Sequence, residues 1–266
     1  MKIATWNINS VRLRINLLKH LHDAAAPDII CLQETKCPNE HIPLKEINKL
    51  GYTHNYFHGE KGYNGVGIFS KIPLTGVEVK EFGGKAHCRH ISALLPDGTR
   101  LHNFYVPAGK DIPDPVTNPY FAHKLQFLDD MSAYFDGFKD NEKHIILGDF
   151  NVAPFENDVW SHKQMLKIIS HTPQETDRLH NMYKNHGWID VSRHFVPNDQ
   201  KLYSWWSYRS ADWKKNDRGR RLDHIWVTEP LKKNLVGQQI IREARDWEHN
   251  SVGPSDHVPL IAELQF

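Results

Sequence analysis

The feature that most restricts how this 266-residue chain can fold is its supply of short, strand-length apolar runs. They read at Lys2 to Trp6, Ile29 to Leu32, 52–58, 65–70, 90–95, 100–106, His144 to Leu147, 222–228, 236–242 and 258–264. Apolar runs of this length between polar turns read as strands. Asp97-Gly98 is a hairpin turn into the strand at 100–106. Helical spacing is rarer. Val11, Ile15, Leu18 and Leu21 follow a capping Ser10, and helices fit 120–136 and 175–186. Helices this few cannot wrap both faces of one large parallel sheet. The expected class is therefore α/β (α+β), with two mixed β-sheets packed face to face and helices outside. No linker, repeat or low-complexity segment divides the chain, so residues 1–266 read as a single domain.

Composition narrows the setting. The apolar share, 39%, is ordinary for a globular protein. No stretch reaches the ~18 consecutive apolar residues of a membrane helix, and the opening MKIATWNINS turns polar too early for a secretory signal. A cytoplasmic protein, of bacterial cytosol or nucleoid, is the expectation. The three cysteines, Cys31, Cys37 and Cys88, lack CxxC spacing, which argues against a disulfide framework or a zinc site. Net charge is only +1, so a nucleic-acid partner must be argued from local charge. Eighteen histidines are scattered mostly singly, where surface or core roles are the commoner ones.

The apolar runs end in acids and amides. The first ends in Trp6-Asn7 and the second in Gln33-Glu34. "LGDFN" supplies Asp149 and Asn151, "RRLDHIWV" supplies Asp223, and "GPSDHVPL" supplies Asp256 and His257. Each alone is a solvated turn or a strand cap. Together they are costly to bury unless paired or bound to a metal. Oxygen donors without thiolate suit Mg²⁺ or Mn²⁺. An Asp or Asn beside a His orients water and offsets phosphoryl charge, so metal-assisted phosphate-ester hydrolysis follows. A glycosidase carboxylate pair would leave the amides and the Ser-Asp-His turn without a role. Residues two apart on a strand share a face, so Asp149 and Asn151 point together if the extended geometry lasts to Asn151.

Residues 203–221 read YSWWSYRSADWKKNDRGRR, in which Trp205, Trp206, Tyr208 and Trp213 alternate with cations such as Arg209, Arg218, Arg220 and Arg221. Aromatic faces stack on bases and cations meet phosphates. A solvated loop pinned by core tryptophans fits the composition equally well, and Trp206 suits the core. Lys36, the turn Gly62-Tyr63-Asn64-Gly65 and Arg89-His90 are weaker signals, and Tyr105 stands at a strand end, where it can reach a phosphate oxygen or simply pack.

These motifs, in this order, resemble the exonuclease III family of class II apurinic/apyrimidinic endonucleases, within the superfamily that includes DNase I and the inositol-polyphosphate phosphatases. The resemblance runs through "ATWNINSVR" (4–12), "PDIICLQETK" (27–36), "GYNGVGIFSK" (62–71), "NFYVP" (103–107), "LGDFNVAP" (147–154), "RGRRLDHIWV" (218–227) and "PSDHVP" (254–259). It implies a four-layered α/β sandwich and a divalent metal, Mg²⁺ with Mn²⁺ as substitute, held chiefly by Glu34 with Asn7 and Asp256 beside it. Asp149 would orient or deprotonate the attacking water, with Asn151 holding that water or the phosphate and Tyr105 touching the scissile phosphate. His257 would offset phosphoryl charge, with Asp223 fixing its tautomer. Lys36, Tyr63, Asn64, Arg89, Trp205, Arg209, Arg220 and Leu222 become the DNA-contact candidates. The implied partner is duplex DNA with abasic sites or with recessed or blocked 3′ ends, handled by a monomer with no membrane role. The implied activities are incision 5′ to an abasic site, 3′–5′ exonuclease and 3′-end cleaning.

The chain departs from the family pattern at three places. Ala108 stands where relatives carry a phosphate-touching amide, a contact Lys110 would have to replace. Arg220 stands where the lesion pocket is apolar. Residues 156–175, with Trp160, His162 and His171, follow a different pattern. The competing readings are a small-molecule phosphoesterase of the same superfamily, such as an inositol-phosphate or phospholipid phosphatase, and a non-catalytic nucleic-acid binder.

Overall fold

A computed structural model describes residues 1–139, 141–210 and 212–266. One sheet contains β1 (Lys2–Asn7), β2 (Ile29–Gln33), β3 (His54–His58), β4 (Val66–Ser70), β11 (Leu235–Ile240) and β12 (Leu260–Leu264), in the order β11-β12-β1-β2-β4-β3. The other contains β5 (Thr75–Glu78), β6 (His90–Leu94), β7 (Arg100–Tyr105), β8 (His144–Asp149), β9 (Ile189–Asp190) and β10 (Asp223–Val227), in the order β5-β6-β7-β8-β10-β9. Each sheet has one parallel pair at its centre, β1 with β2 and β7 with β8, and is otherwise antiparallel. The helices are α1 (Ile15–Ala25), α2 (Leu44–Lys49), α3 (Pro119–Phe135), α4 (His162–Met165), α5 (Pro173–Asn185), α6 (Val191–Phe195) and α7 (Trp213–Asn216). Helix α1 joins the first parallel pair and α3 the second, which produces the two-fold resemblance of the halves. Among the described residues no helix is long and apolar enough to cross a membrane.

The alternation of side chains along a strand accounts for the layers. Ile3, Cys31, Leu101, Ile145, Leu147, Ile225 and Ala262 face the other sheet. Ala4, Trp6, Ile30 and Leu32 face α1, which covers them with Leu17, Leu18 and Leu21. Phe104, Ile146, Phe150 and Trp226 face α3 and α5, which supply Phe127, Met131, Leu179 and Met182. Central strands are thus apolar on both faces and read as continuous apolar runs. Both long outer helices are well capped: Asn118 accepts from Tyr120 N at 3.0 Å, and Thr172 with Glu175 forms a capping box.

On the face between the sheets, the same alternation turns polar toward one edge. Gln33 donates to Thr5 Oγ1 at 3.0 Å and to Asn103 Oδ1 at 2.6 Å, and Asn103 donates to the Leu32 and Gly67 carbonyls at 3.0 Å. These amides tie the sheets together just beneath the strand ends that carry Asn7, Tyr105, Asp149 and Asp223.

Two expectations shift. The first helix begins at Ile15 rather than after Ser10, because Ser10 N and Val11 N pair with the Glu34 and Thr35 carbonyls and draw that segment along β2. The extended geometry of β8 ends at Asp149, and Asn151 lies in the left-handed region at φ 52.

Gly148 separates these elements closely. A Cβ there would stand 1.9 Å from the Phe104 carbonyl oxygen, and φ is 135. Gly148→Ala must therefore push β7 from β8. The expected loss is about 1–3 kcal/mol, the usual cost of overpacking, read as a lowered midpoint in denaturant unfolding.

Candidate active site

Four strands of two sheets end together. Asp149 faces Tyr105 across the parallel pair and Asp223 across the antiparallel one. Asn7 ends β1, and its Nδ2 donates to Asp149 Oδ2 at 2.9 Å and to Glu34 Oε1 at 3.1 Å, so one amide joins carboxylates from the two halves of the fold. Asp149, fully buried, also accepts from Asn151 N at 2.9 Å and Asn151 Nδ2 at 3.0 Å. The meeting of Asp149 with Asn151 is a left-handed turn and not a shared strand face. The turn is held by Asn151 Nδ2 on the Val106 carbonyl at 2.9 Å.

His257 lies between two carboxylates. Its Nδ1 is 2.8 Å from Asp223 Oδ2, and its Nε2 is 3.7 Å from Asp149 Oδ2. Burial alone lowers the imidazole pKa, but the charges of Asp223 and then Asp149 reverse this and hold it above the ordinary value. Burial raises the Asp149 carboxyl, His257 opposes that rise, and Asp223 adds to it. Ser204 Oγ donates to Asp223 Oδ2 at 2.7 Å while accepting from Asp223 N, which fixes the carboxylate behind the ring.

Glu34 adopts φ 49, a left-handed conformation that costs a non-glycine residue ~1–2 kcal/mol. Tyr105 OH donates to Glu34 Oε1 at 2.6 Å, and Lys36 Nζ lies 2.8 Å from Oε2. Burial would raise the Glu34 pKa, but Lys36, Tyr105 and Asn7 outweigh it and hold the carboxyl below its usual value. Burial and the Glu34 charge raise Tyr105 well above the ordinary phenol, so it stays a donor. Lys36 also donates to Asn9 Oδ1 at 2.7 Å, and Asn9 Nδ2 reaches Asp256 Oδ1 at 3.3 Å. Asp256 Oδ2 accepts from Trp205 Nε1 at 2.9 Å.

The donor chemistry fits a hard divalent cation at Glu34. The carboxyl is ionised, its neighbours offer oxygen donors, and an ammonium already sits against one of its oxygens. Asp149, Asp223 and His257 also lie close enough together to hold an ion, with ligand atoms within 4.8 Å of one another. There, however, the imidazole already faces both carboxylates, so their charge is met without a metal.

The DNA-contact candidates divide. Lys36 stands at the site, and Tyr63 is exposed. Arg89 lies over the Tyr105 ring at 4.5 Å and donates to the Tyr105 carbonyl at 3.1 Å, so it braces that residue from behind. Trp205, Arg209 and Arg220 line an open basin of about 930 Å³, together with Trp160, Arg218 and Lys110. Asn64 and Leu222 do not reach the surface. The Asn64 side chain is buried and donates to Glu60 at 2.7 Å, and Leu222 is enclosed with Ala153, Val159 and Met165. Trp206 is core, and Arg221 is fully buried between Asp158 and Asp190, at 2.8 and 2.7 Å. Sequence reasoning missed Asn9, Ser204 and Ser255, whose Oγ donates to the Asn7 carbonyl at 2.7 Å. Ser255 lies inside the "PSDH" motif, whereas nothing in spacing marks Ser204.

Such a fold, with this site at one edge of its sheets, defines a phosphoester hydrolase. The Endonuclease/Exonuclease/phosphatase family model matches residues 4–257. Exodeoxyribonuclease III of Haemophilus influenzae is 30% identical over 281 residues that cover 100% of both chains. An AP endonuclease structure from Archaeoglobus fulgidus aligns with a TM-score of 0.90 at 30% identity, covering 100% of each chain. The 3′ phosphatase NExo from Neisseria, bound to product DNA hairpin, aligns at 0.89 and 28% identity with the same coverage. The chain belongs to the Endonuclease/Exonuclease/phosphatase family, as an exonuclease III-like nuclease.

The raised His257 pKa makes a pH prediction. Its protonated form persists above the ordinary imidazole range because of the Asp223 charge. Asp223→Asn removes that charge, so the alkaline limb of the kcat/KM profile should move toward neutrality. A limb that stays in place would show that His257 does not set it.

Proposed function

We propose that the protein is a DNA-repair nuclease that hydrolyses phosphodiesters of duplex DNA with a divalent cation, normally Mg²⁺. Its activities are 3′–5′ exonuclease on recessed ends, incision 5′ to abasic sites, and cleaning of blocked 3′ ends. The observation that carries this reading is the single amide of Asn7 joining Glu34 to Asp149, which in turn faces His257 and Asp223. A cation centre and a proton-handling centre are thereby held side by side, as a phosphodiester requires.

Glu34, with Asn7 and Asp256, would hold the cation, whose charge would offset that of the phosphate. Asp149 takes the proton of the attacking water, and Asn151, whose Nδ2 is committed to Asp149 and the Val106 carbonyl, orients that water through its Oδ1. His257, kept protonated by Asp223, donates to the phosphoryl oxygen as charge builds on it. Tyr105 holds Glu34 in place and can turn its hydroxyl to the phosphate. The Trp- and Arg-lined basin supports a nucleic-acid substrate over a small soluble ester, because aromatic faces and cations together suit bases and phosphates. The protein acts as a monomer in this reading.

One labelled duplex with an internal abasic analogue and a recessed 3′ end, run on a gel with Mg²⁺ or EDTA, tests the proposal. Mg²⁺-dependent shortening or incision is expected. Phosphate release from soluble esters without any DNA cleavage would overturn it. Glu34→Ala and Asp149→Asn should each lower kcat by roughly 10²–10⁴-fold, and His257→Ala should lower kcat while DNA affinity persists.

A further inference from the structure

The basin beside His257 holds more positive charge than the proposed chemistry uses. Arg220 forms its floor. The guanidinium lies over the Trp205 ring at 4.9 Å, and Nη1 donates to the Ile169 carbonyl at 3.2 Å and to Ser170 Oγ at 3.0 Å. Its buried Nε has no partner among the described residues. Glu175, the acid whose charge reaches Arg220, is already paired with the fully buried Lys124. Two cations therefore share one carboxylate. Burial brings the guanidinium down to about 10, so it remains charged at neutral pH. The rim adds Lys110, Arg209 and Arg218 against Asp111. A neutral apolar guest would leave this charge uncompensated, whereas an anion would satisfy it.

Position links the basin to the reaction. The backbone of Trp205 bridges His257 and also bridges Arg220. Trp205, which lines the basin, thus sits beside the backbone of His257 and sets the basin next to the phosphate-cleaving centre. Lined by Trp160 and Trp205 and about 930 Å³ in volume, the basin has the size of a cleft for a single ligand-sized group.

We propose that Arg220 makes the enzyme selective for substrates whose group beyond the reacting phosphate carries a negative charge. The inference rests on the nuclease reading above. Two sources share this chemistry: the carboxylate of a small fragment left on a 3′ end, such as glycolate, and the next backbone phosphate of a continuing strand. With Nη1 committed to Ile169 and Ser170, Nη2 of the guanidinium is the donor that would meet an oxygen of either. In both cases the oxygen of water bonds to phosphorus and the bond from phosphorus to the upstream 3′ oxygen breaks. Water gives up one proton and the 3′ oxygen takes one up. The products are a 3′-hydroxyl strand and a phosphorylated fragment, which lies against Arg220.

Three duplexes with Mg²⁺ test this: one ending in 3′-phosphoglycolate, one with an internal tetrahydrofuran site followed by further nucleotides, and one with an ordinary recessed 3′ end. Only the third lacks charge beyond the reacting phosphate. For Arg220→Leu, kcat/KM on the first or second should fall at least about tenfold relative to the third, and Arg220→Lys should restore part of the loss. A fall on the first alone assigns the carboxylate, and a fall on the second alone assigns the backbone phosphate. Equal loss on all three, or no loss, overturns the proposal. Should the leucine variant fail to fold, Arg220→Gln removes the charge while keeping a donor for Ile169 and Ser170, and the same comparison applies. Wild-type protein that cleaves none of the three would instead overturn the nuclease reading.

Discussion

The fully buried carboxylate of Asp149 is the constraint on which the rest of the site depends. An ionised carboxyl removed from water costs several kcal/mol unless its lone pairs and charge are met. The fold meets them from three directions: β1 sends Asn7, the turn after β8 sends Asn151, and the C-terminal segment sends His257, whose ring Asp223 holds from the other side. Each partner belongs to a different part of the chain. The carboxylate thus fixes the meeting point of both sheets, and the sheets in turn keep it from relaxing toward solvent.

Strain is concentrated around that point. Asn9, Glu34, Lys36 and Asn151 all have left-handed backbone geometry, at φ 49, 49, 49 and 52. Such conformations persist only where surrounding contacts over-determine them, and they gather at functional sites. Here the contacts are visible: Lys36 and Asn9 hold each other, and Glu34 is gripped by Tyr105, Asn7 and Lys36. A second tie runs outward. Buried Lys124 of α3 pairs with Glu175 of α5 and donates to the Asn151 carbonyl at 2.8 Å, which anchors the catalytic turn to the outer helices.

Most of the architecture was legible because central strands are apolar on both faces and stand out as runs. What escaped notice were the short elements, β5, β9, α2, α4, α6 and α7, which span too few residues to show a period. The acids and amides of the site were legible because strand ends are poor places for them. Their partners were less so. Ser204 and Asn9 look like any turn residues, and their role appears only when distant segments close over them. Composition left the basic stretch open between two readings, and burial divides its members. Arg221 and Arg220 are neighbours, yet one is locked between two aspartates and the other lines the basin.

By itself the sequence determined that this chain builds two packed sheets and that hard oxygen donors and a histidine crowd the ends of their strands. Periodicity and composition are local properties, so they survive without a third dimension. Only the tertiary structure decided which donors share a hydrogen bond, which cations remain free for an anion, and which candidates, Asn64 and Leu222, are enclosed. Those outcomes depend on distances between residues as far apart as Asn7 and Asp149, and on burial, which no stretch of sequence contains.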